Sequence, residues 1–166
     1  STLTCEGLAK MYIERIFMHN DNPQPNGGLP ISAVLSINPN ALDIAKALDQ
    51  KYIEDGGIGD RYLHCMPVLL KDNYDTVDFP STSASFSMLG HQAGVDAPSV
   101  DGLRKAGALI LGKAHQDEFA YFTTGFSGRT VLVTNPYNTQ ESSAGSSSGS
   151  GAALASNVAI GGTGSD

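Results

Sequence analysis

The sequence predicts an α/β fold, in which helices pack against a β-sheet. Residues 67–70 and 108–111 are short unbroken apolar runs, the pattern of strands that are buried on both faces. Segments with helical spacing of apolar residues alternate with these runs, which is typical of α/β layers. A chain of 166 residues with 40% hydrophobic and 16% charged residues suits one globular domain.

The first elements follow from apolar spacing and turn formers. Residues 3–18 carry apolar side chains at helical spacing and predict the first helix. Residues 21–30 contain three prolines together with Gly and Asn, so they predict a loop. Residues 31–37 predict a strand, and Asn38-Pro39-Asn40 ends it and starts a helix from residue 41 to about residue 52.

The later elements carry clearer boundary signals. Asp96-Ala97-Pro98-Ser99 predicts a helix start with proline near the first turn, and Gly107 predicts its end. Residues 108–111 form the second predicted buried strand, and residues 152–159 predict a short helix of small side chains.

A serine- and glycine-rich run precedes that last helix. By composition, residues 142–151 suit a flexible linker. A glycine-rich loop that opens a helix also presents backbone N–H groups to an oxyanion or a phosphate. A Walker-type phosphate loop needs a lysine at its end, and no Lys or Arg follows Arg129. The run therefore favours acyl chemistry over nucleotide chemistry.

Charge and hydropathy argue against two classes of partner. The net charge is −7 and the pI is near 4.9, so direct binding to nucleic acid or to an anionic membrane is disfavoured. No stretch has the apolar length that a membrane span requires, and the start at Ser1 shows no signal peptide. We therefore favour a cytoplasmic location.

The cysteines and histidines predict no metal site. Cys5 and Cys65 could pair only by joining the first helix to a loop, so we expect free buried thiols. Neither cysteine has a metal-ligand partner at useful spacing. The histidines are scattered singly, at positions 19, 64, 91 and 115.

Two lysines stand at the ends of the buried strands. Lys71 follows the first strand, where burial would lower its pKa until the amine can accept a proton. Alternatively, Lys71 pairs with Asp72 or Asp75, or extends to water. Lys113 follows the second strand in a similar way, and nothing local separates the two lysines.

Motifs along most of the chain resemble the amidase signature family, in order and at family spacing. They are His64-Cys65-Met66-Pro67-Val68-Leu69-Leu70-Lys71-Asp72-Asn73, Leu103-Arg104-Lys105-Ala106-Gly107-Ala108, Gly112-Lys113, Glu118-Phe119-Ala120, Asn135-Pro136-Tyr137-Asn138 and Gly145-Ser146-Ser147-Ser148-Gly149-Ser150-Gly151. The resemblance implies a mixed β-sheet with helices on both sides.

The resemblance also implies a Ser-Ser-Lys triad that hydrolyses a small carboxamide through an acyl-enzyme. Lys71 resembles the triad lysine, and Ser146 resembles the bridging serine, whose preceding peptide bond is cis in the family. Neutral Lys71 would take a proton from Ser146, which takes one from the nucleophilic serine. No metal or organic cofactor is implied.

The nucleophile of the family lies beyond this segment. In relatives, Gly-Ser-Asp is followed by Thr-Gly-Gly-Ser, and here Gly164-Ser165-Asp166 is the end of the sequence. We therefore expect residues 1–166 to be the N-terminal part of one domain with an incomplete sheet, inactive alone. Such a chain would depend on a missing C-terminal portion, on self-association or on another partner.

Departures from the family pattern leave two alternatives open. Cys65, Ala84 and Ala144 stand where relatives have glycines, and Thr130-Val131-Leu132 replaces Gly-Gly-Gln. One alternative is a truncated or diverged amidase-like protein without catalytic activity. The other is the amidase subunit of a tRNA-dependent amidotransferase, in which a partner protein contacts the RNA. The sequence does not indicate which amide is the substrate.

Overall fold

The fold centres on a four-stranded mixed β-sheet. A computed structural model describes residues 3–25, 27–130 and 132–166. The strands of the sheet span Val34–Ile37 (β1), Pro67–Lys71 (β2), Leu109–Ala114 (β3) and Gly161–Gly162 (β6). Their order is β1-β3-β2-β6, with β1 antiparallel to β3 and the other two pairings parallel.

Helices cover both faces of this sheet. Because side chains alternate along a strand, Leu69 of β2 points to one face, and Val68 and Leu70 point to the other. Three helices pack on the Leu69 face: α1 (Cys5–His19), α2 (Ala41–Glu54) and α4 (Ser148–Ala155). Helix α3 (Pro98–Lys105) packs on the opposite face through Val100. The predicted fold class, a mixed sheet with helices on both sides, is confirmed.

Local sequence explains where the helices begin and end. The Thr4 hydroxyl accepts a hydrogen bond from the Gly7 N–H at 3.0 Å and caps α1. Pro98 begins α3, where its missing N–H is not needed. Gly107 follows that helix with φ +87°, the left-handed conformation that ends helices. No helix among the described residues is long and apolar enough to cross a membrane.

Several predicted boundaries need correction. The first strand begins at Val34 rather than residue 31, because Ser32 has φ 53°. Lys71 is the last residue of β2, and Lys113 lies inside β3 rather than after it. The last helix is Ser148–Ala155 rather than 152–159, so the serine-rich run forms its first turn.

A hairpin lies where the sequence indicated only turn formers. Strands β4 (Thr134–Asn135) and β5 (Asn138–Ser142) pair antiparallel and form a separate two-stranded sheet. Their residues are mostly polar, so they lack the apolar alternation that predicts a strand.

The expectation of free cysteines is wrong. Cys5 and Cys65 form a disulfide, with their Cα atoms 5.2 Å apart. The pairing does join a helix to a loop, because the start of α1 lies beside the segment before β2. Val131, one of the three residues that replace Gly-Gly-Gln, lies outside the described residues.

Candidate active site

The two predicted site residues meet at the end of β2. Lys71 is fully buried, and its Nζ lies 2.8 Å from the Oγ of Ser146. The same Nζ lies 2.8 Å from the Oγ of Ser165 and 3.3 Å from its carbonyl oxygen. The lysine amine is therefore enclosed by three oxygen atoms.

The environment of Lys71 favours its neutral form. Burial lowers the pKa of Lys71 from its ordinary value, while the carboxylates of Asp117 and Asp166 partly oppose that change. A lowered pKa increases the fraction of neutral amine at a given pH. The neutral amine has a lone pair that can accept a proton from a neighbouring hydroxyl.

The loop before α4 is held in place by its neighbours, so its composition does not make it a linker. The Gly145–Ser146 peptide bond is cis, as the resemblance implied. The carbonyl oxygen of Ser146 accepts a hydrogen bond from the Asp117 N–H at 3.1 Å. A Cβ at position 145 would overlap the carboxylate of Asp117, so only glycine fits there.

Asp117 organises this corner of the site, although no sequence pattern indicated it. Its buried carboxylate accepts hydrogen bonds from the backbone N–H groups of Thr124 at 2.6 Å and Gly125 at 2.8 Å. It also accepts one from the Thr124 hydroxyl at 3.0 Å. Asp117 therefore joins the 124–125 turn to the Ser146 loop.

The segment that carries Ser165 is fixed from several sides. Lys71 donates its backbone N–H to the Thr163 hydroxyl at 2.9 Å, and the Ser150 hydroxyl donates to the Thr163 carbonyl at 2.6 Å. The Tyr74 hydroxyl donates to the Gly164 carbonyl at 2.6 Å. Ser165 is therefore placed beside Lys71 by contacts with β2, α4 and the loop after β2.

Asn73 and Ser147 bind Ser165 directly. Asn73 donates through Nδ2 to the Ser165 Oγ at 3.1 Å, and the Ser147 Oγ accepts from the Ser165 N–H at 3.2 Å. Local sequence patterns predict no role for these three residues. The signal that could have found them is their place in the family-like motifs and in Gly164-Ser165-Asp166.

The second buried lysine has a different environment. Lys113 Nζ donates to the Tyr74 carbonyl at 2.5 Å and to the Ser81 hydroxyl at 2.7 Å, and lies 5.1 Å from the centre of the Phe79 ring. Burial lowers the pKa of Lys113 to about 8, with Asp72 as the largest opposing influence. Lys113 therefore supports the loop over residues 74–81, and this separates the two lysines that the sequence could not.

His115 is a buried residue that contacts both a loop and the start of α4. Its Nε2 lies 3.0 Å from the Ser127 Oγ, and its Nδ1 lies 3.3 Å from the Ser148 Oγ. Burial lowers the pKa of His115 to about 4, so the ring is neutral at pH 7. His115 thus links the 127–130 loop to the first turn of α4.

The three glycine replacements keep the backbone conformation that glycine favours. Cys65, Ala84 and Ala144 have φ values of 62°, 54° and 60°. At Ala84 the conformation is supported by the Asp72 carboxylate, which accepts the Ala84 N–H at 2.9 Å. The left-handed turns are therefore present despite their side chains.

A surface cavity of about 300 Å³ opens onto the serines of the site. Its polar lining includes Ser146, Ser147, Ser165 and Asp166. Tyr121 and Phe122 also line it, with their rings in edge-to-face contact and largely exposed. The arrangement presents the Ser146 hydroxyl, in contact with the Lys71 amine, to a partly apolar cavity.

Comparison with known sequences identifies the family. The family model for Amidase matches residues 30–166. A protein named "Probable amidase" from Arabidopsis thaliana is 37% identical over 163 residues. A glutamyl-tRNA(Gln) amidotransferase subunit from Chlorobium luteolum is 34% identical over 165 residues. These matches cover 94% and 99% of this chain, but only 30% and 32% of the relatives.

Solved structures give the same result. The native peptide amidase from Stenotrophomonas maltophilia matches with a TM-score of 0.83 and 36% identity, over 95% of this chain and 32% of that one. Fatty acid amide hydrolase matches with a TM-score of 0.85 at 23% identity, over 99% of this chain and 27% of that one, which supports the fold alone. This chain therefore belongs to the amidase family and spans about a third of the length of these relatives.

Proposed function

We propose that this chain supplies the proton relay of an amidase that hydrolyses a carboxamide C–N bond through an acyl-enzyme. One observation carries the proposal: the buried Lys71 Nζ lies 2.8 Å from the Ser146 Oγ. A buried amine with a lowered pKa, in hydrogen-bond contact with a serine, is the arrangement that a relay base requires.

The relay passes protons towards Lys71 during attack and back again during release of the amine. Lys71 accepts the Ser146 proton, and Ser146 accepts the proton of a nucleophilic serine as that serine attacks the amide carbon. Ser146 then donates a proton to the leaving amine and recovers one from Lys71, and water hydrolyses the acyl-enzyme. The Lys71 Nζ also lies within hydrogen-bond distance of the Oγ and the carbonyl oxygen of Ser165, so both N–H groups of a neutral amine would have acceptors while its lone pair takes the Ser146 proton.

The nucleophile in this proposal belongs to sequence after Asp166. In this view residues 1–166 form the N-terminal part of a single amidase domain, and the rest of that domain completes the sheet and the site. The chain alone is then inactive, because the attacking oxygen is outside it. A small linear amide is the proposed substrate, and the cavity beside Ser146 has room for it.

The tRNA-dependent amidotransferase is a second candidate. It is favoured by the amidotransferase relative from Chlorobium luteolum, which is 34% identical over 165 residues. In that case the site would release ammonia from an amide for a partner protein. The net charge of −7 is compatible with this function because the partner would contact the RNA.

Ammonia release from linear amides by the full-length gene product tests the proposal. We expect turnover without tRNA or a partner, and we expect Ser146→Ala to lower kcat by about 10²- to 10⁴-fold. Ser99→Ala, on the exposed side of α3, is the matched control and should leave kcat unchanged.

The alternatives give different results in the same assay. Turnover that requires both tRNA and a second protein would identify the amidotransferase. The absence of turnover under both conditions, with folded protein, would identify a diverged protein without catalytic activity.

A further inference from the structure

Three potential metal ligands meet at the end of the sheet opposite Lys71. The disulfide of Cys5 and Cys65 lies beside His64, whose Nε2 is 3.5 Å from the Cys5 Sγ. The three donor atoms all lie within 4.8 Å of one another. The sequence-based expectation that neither cysteine has a metal-ligand partner at useful spacing did not anticipate that the fold brings Cys5 beside His64 and Cys65.

Contacts other than the disulfide hold these donors in place. The Asp49 carboxylate of α2 accepts the backbone N–H groups of Cys5 at 2.7 Å and Glu6 at 3.0 Å, which fixes the start of α1. Cys65 donates its N–H to the Gly107 carbonyl at 3.0 Å, and the His64 N–H donates to the Arg61 carbonyl at 2.9 Å. The cluster should therefore stay together when the S–S bond opens.

The donor set suits zinc. Two thiolates and one imidazole are typical zinc ligands, with Zn–S near 2.3 Å and Zn–N near 2.0 Å, so neighbouring donor atoms lie roughly 3.5 to 4 Å apart. The His64 Nε2 lies 3.5 Å from the Cys5 Sγ, which is already close to that spacing. The reduced sulfurs must separate, and the Cα spacing of 5.2 Å leaves them room to do so.

The surrounding charges also favour a cation. The His64 Nε2 faces the Cys5 Sγ at 3.5 Å, so the imidazole nitrogen points into the cluster. Arg61 is paired with Asp55 at 2.6 Å, which offsets its positive charge. The Asp49 carboxylate adds negative charge beside Cys5.

A cavity gives solvent access to the cluster. It has a volume of about 530 Å³ and is lined by Leu3, Tyr52 and Ile53 as well as by the three donors. A water molecule can reach the fourth position of a tetrahedral ion from this side.

We propose that Cys5, His64 and Cys65 bind one Zn²⁺ ion when their disulfide is reduced. A dithiol supplies two electrons and becomes a disulfide, while the Cys5–Cys65 bond breaks and two thiols form. Zinc then displaces both thiol protons to solvent and binds two thiolates, the His64 Nε2 and one water. Zinc and the disulfide exclude each other, so occupancy depends on the redox state.

Zinc binding by the full-length gene product tests this site without using amide turnover. The protein is reduced anaerobically with a phosphine, desalted and titrated with ZnCl₂ against a chromophoric chelator. We expect one more zinc per chain than in the Cys5→Ser/Cys65→Ser variant. His64→Gln should weaken binding by roughly tenfold or more, the loss typical even of residues that only support a ligand. His91→Gln replaces an exposed histidine elsewhere and is the matched control, so it should leave zinc binding unchanged.

Cobalt provides a measurement that needs no variant. Co²⁺ added to the reduced wild-type protein should give thiolate-to-cobalt charge-transfer absorption, and prior oxidation of the disulfide should abolish it. Equal zinc content in the wild type and the double-serine variant would overturn the proposal. So would the absence of the cobalt band, or a disulfide that resists the phosphine in the folded protein.

Discussion

At the scale of residues, the main result is the difference between two buried lysines. Lys71 contacts two serine hydroxyls, whereas Lys113 contacts a carbonyl and a serine that belong to the 74–81 loop. The sequence alone could not separate them, because both stand in buried strands. The family resemblance selected Lys71 and Ser146, which are 75 residues apart in the chain and in contact in the fold.

The pH dependence of turnover should report the base. Because burial lowers the pKa of Lys71 from 10.5, kcat/KM of the full-length gene product should rise with pH through a pKa below 10.5. The sign follows from the relay, since only the neutral amine accepts a proton. Lys105→Met changes an exposed lysine of α3 and should leave this rise of kcat/KM with pH unchanged. If kcat/KM does not depend on pH, or rises through a pKa of 10.5, Lys71 is not the base.

The alanine at position 144 should cost stability. Ala144 is exposed and has φ 60°, a conformation that is unfavourable for residues with a Cβ by about 1 kcal/mol. Ala144→Gly should therefore raise the free energy of unfolding by about 1 kcal/mol, measured by urea denaturation. Ala47→Gly on the exposed side of α2 should lower it by a similar amount, because helices disfavour glycine. A decrease in both variants would argue against strain at Ala144.

At the scale of elements, regular patterns predicted most of the sheet and its helices. Unbroken apolar runs identified β2 and β3, and proline and glycine marked the ends of α3. Helix α4 begins earlier than the predicted residue 152 for a physical reason. Its residues are serine, glycine and alanine with one leucine, so no apolar stripe marks its start. Asp117 and Tyr74 act through backbone contacts between elements, which no local pattern predicts.

His115 should make the contact between the 127–130 loop and α4 sensitive to acid. Its folded pKa of about 4 lies below the ordinary 6.5, so the unfolded chain binds the proton first. The stabilisation is complete above pH 6.5 and is lost as the pH falls towards 4, about 3 kcal/mol in all. Urea denaturation at about pH 7 and about pH 4.5 should show a smaller loss in His115→Gln than in the wild type. Equal losses would show that His115 is not the titrating group.

At the scale of the whole molecule, the disulfide joins the first helix to the sheet. Cys5 and Cys65 are 60 residues apart, and closing a loop of that length stabilises a fold by about 4 kcal/mol. Metal-free Cys5→Ser/Cys65→Ser protein should therefore unfold at lower urea concentration than the oxidised wild type. An unchanged midpoint would mean that other contacts hold α1 in place.

The fold class and family could be predicted from sequence, whereas this covalent link could not. Pairing of the cysteines depends on α1 and the segment before β2 lying side by side, which is a tertiary property. The same reason explains the missed cluster with His64.

The role of Lys71 as the base is the central claim, and one kinetic measurement tests it directly. The measurement is kcat for ammonia release by the full-length gene product and its Lys71→Ala variant, with Lys105→Ala as the control. We predict that Lys71→Ala lowers kcat by at least about 10²-fold, whereas Lys105→Ala leaves kcat unchanged and both variants stay folded. A folded Lys71→Ala variant that turns over amide at the wild-type rate would contradict the claim.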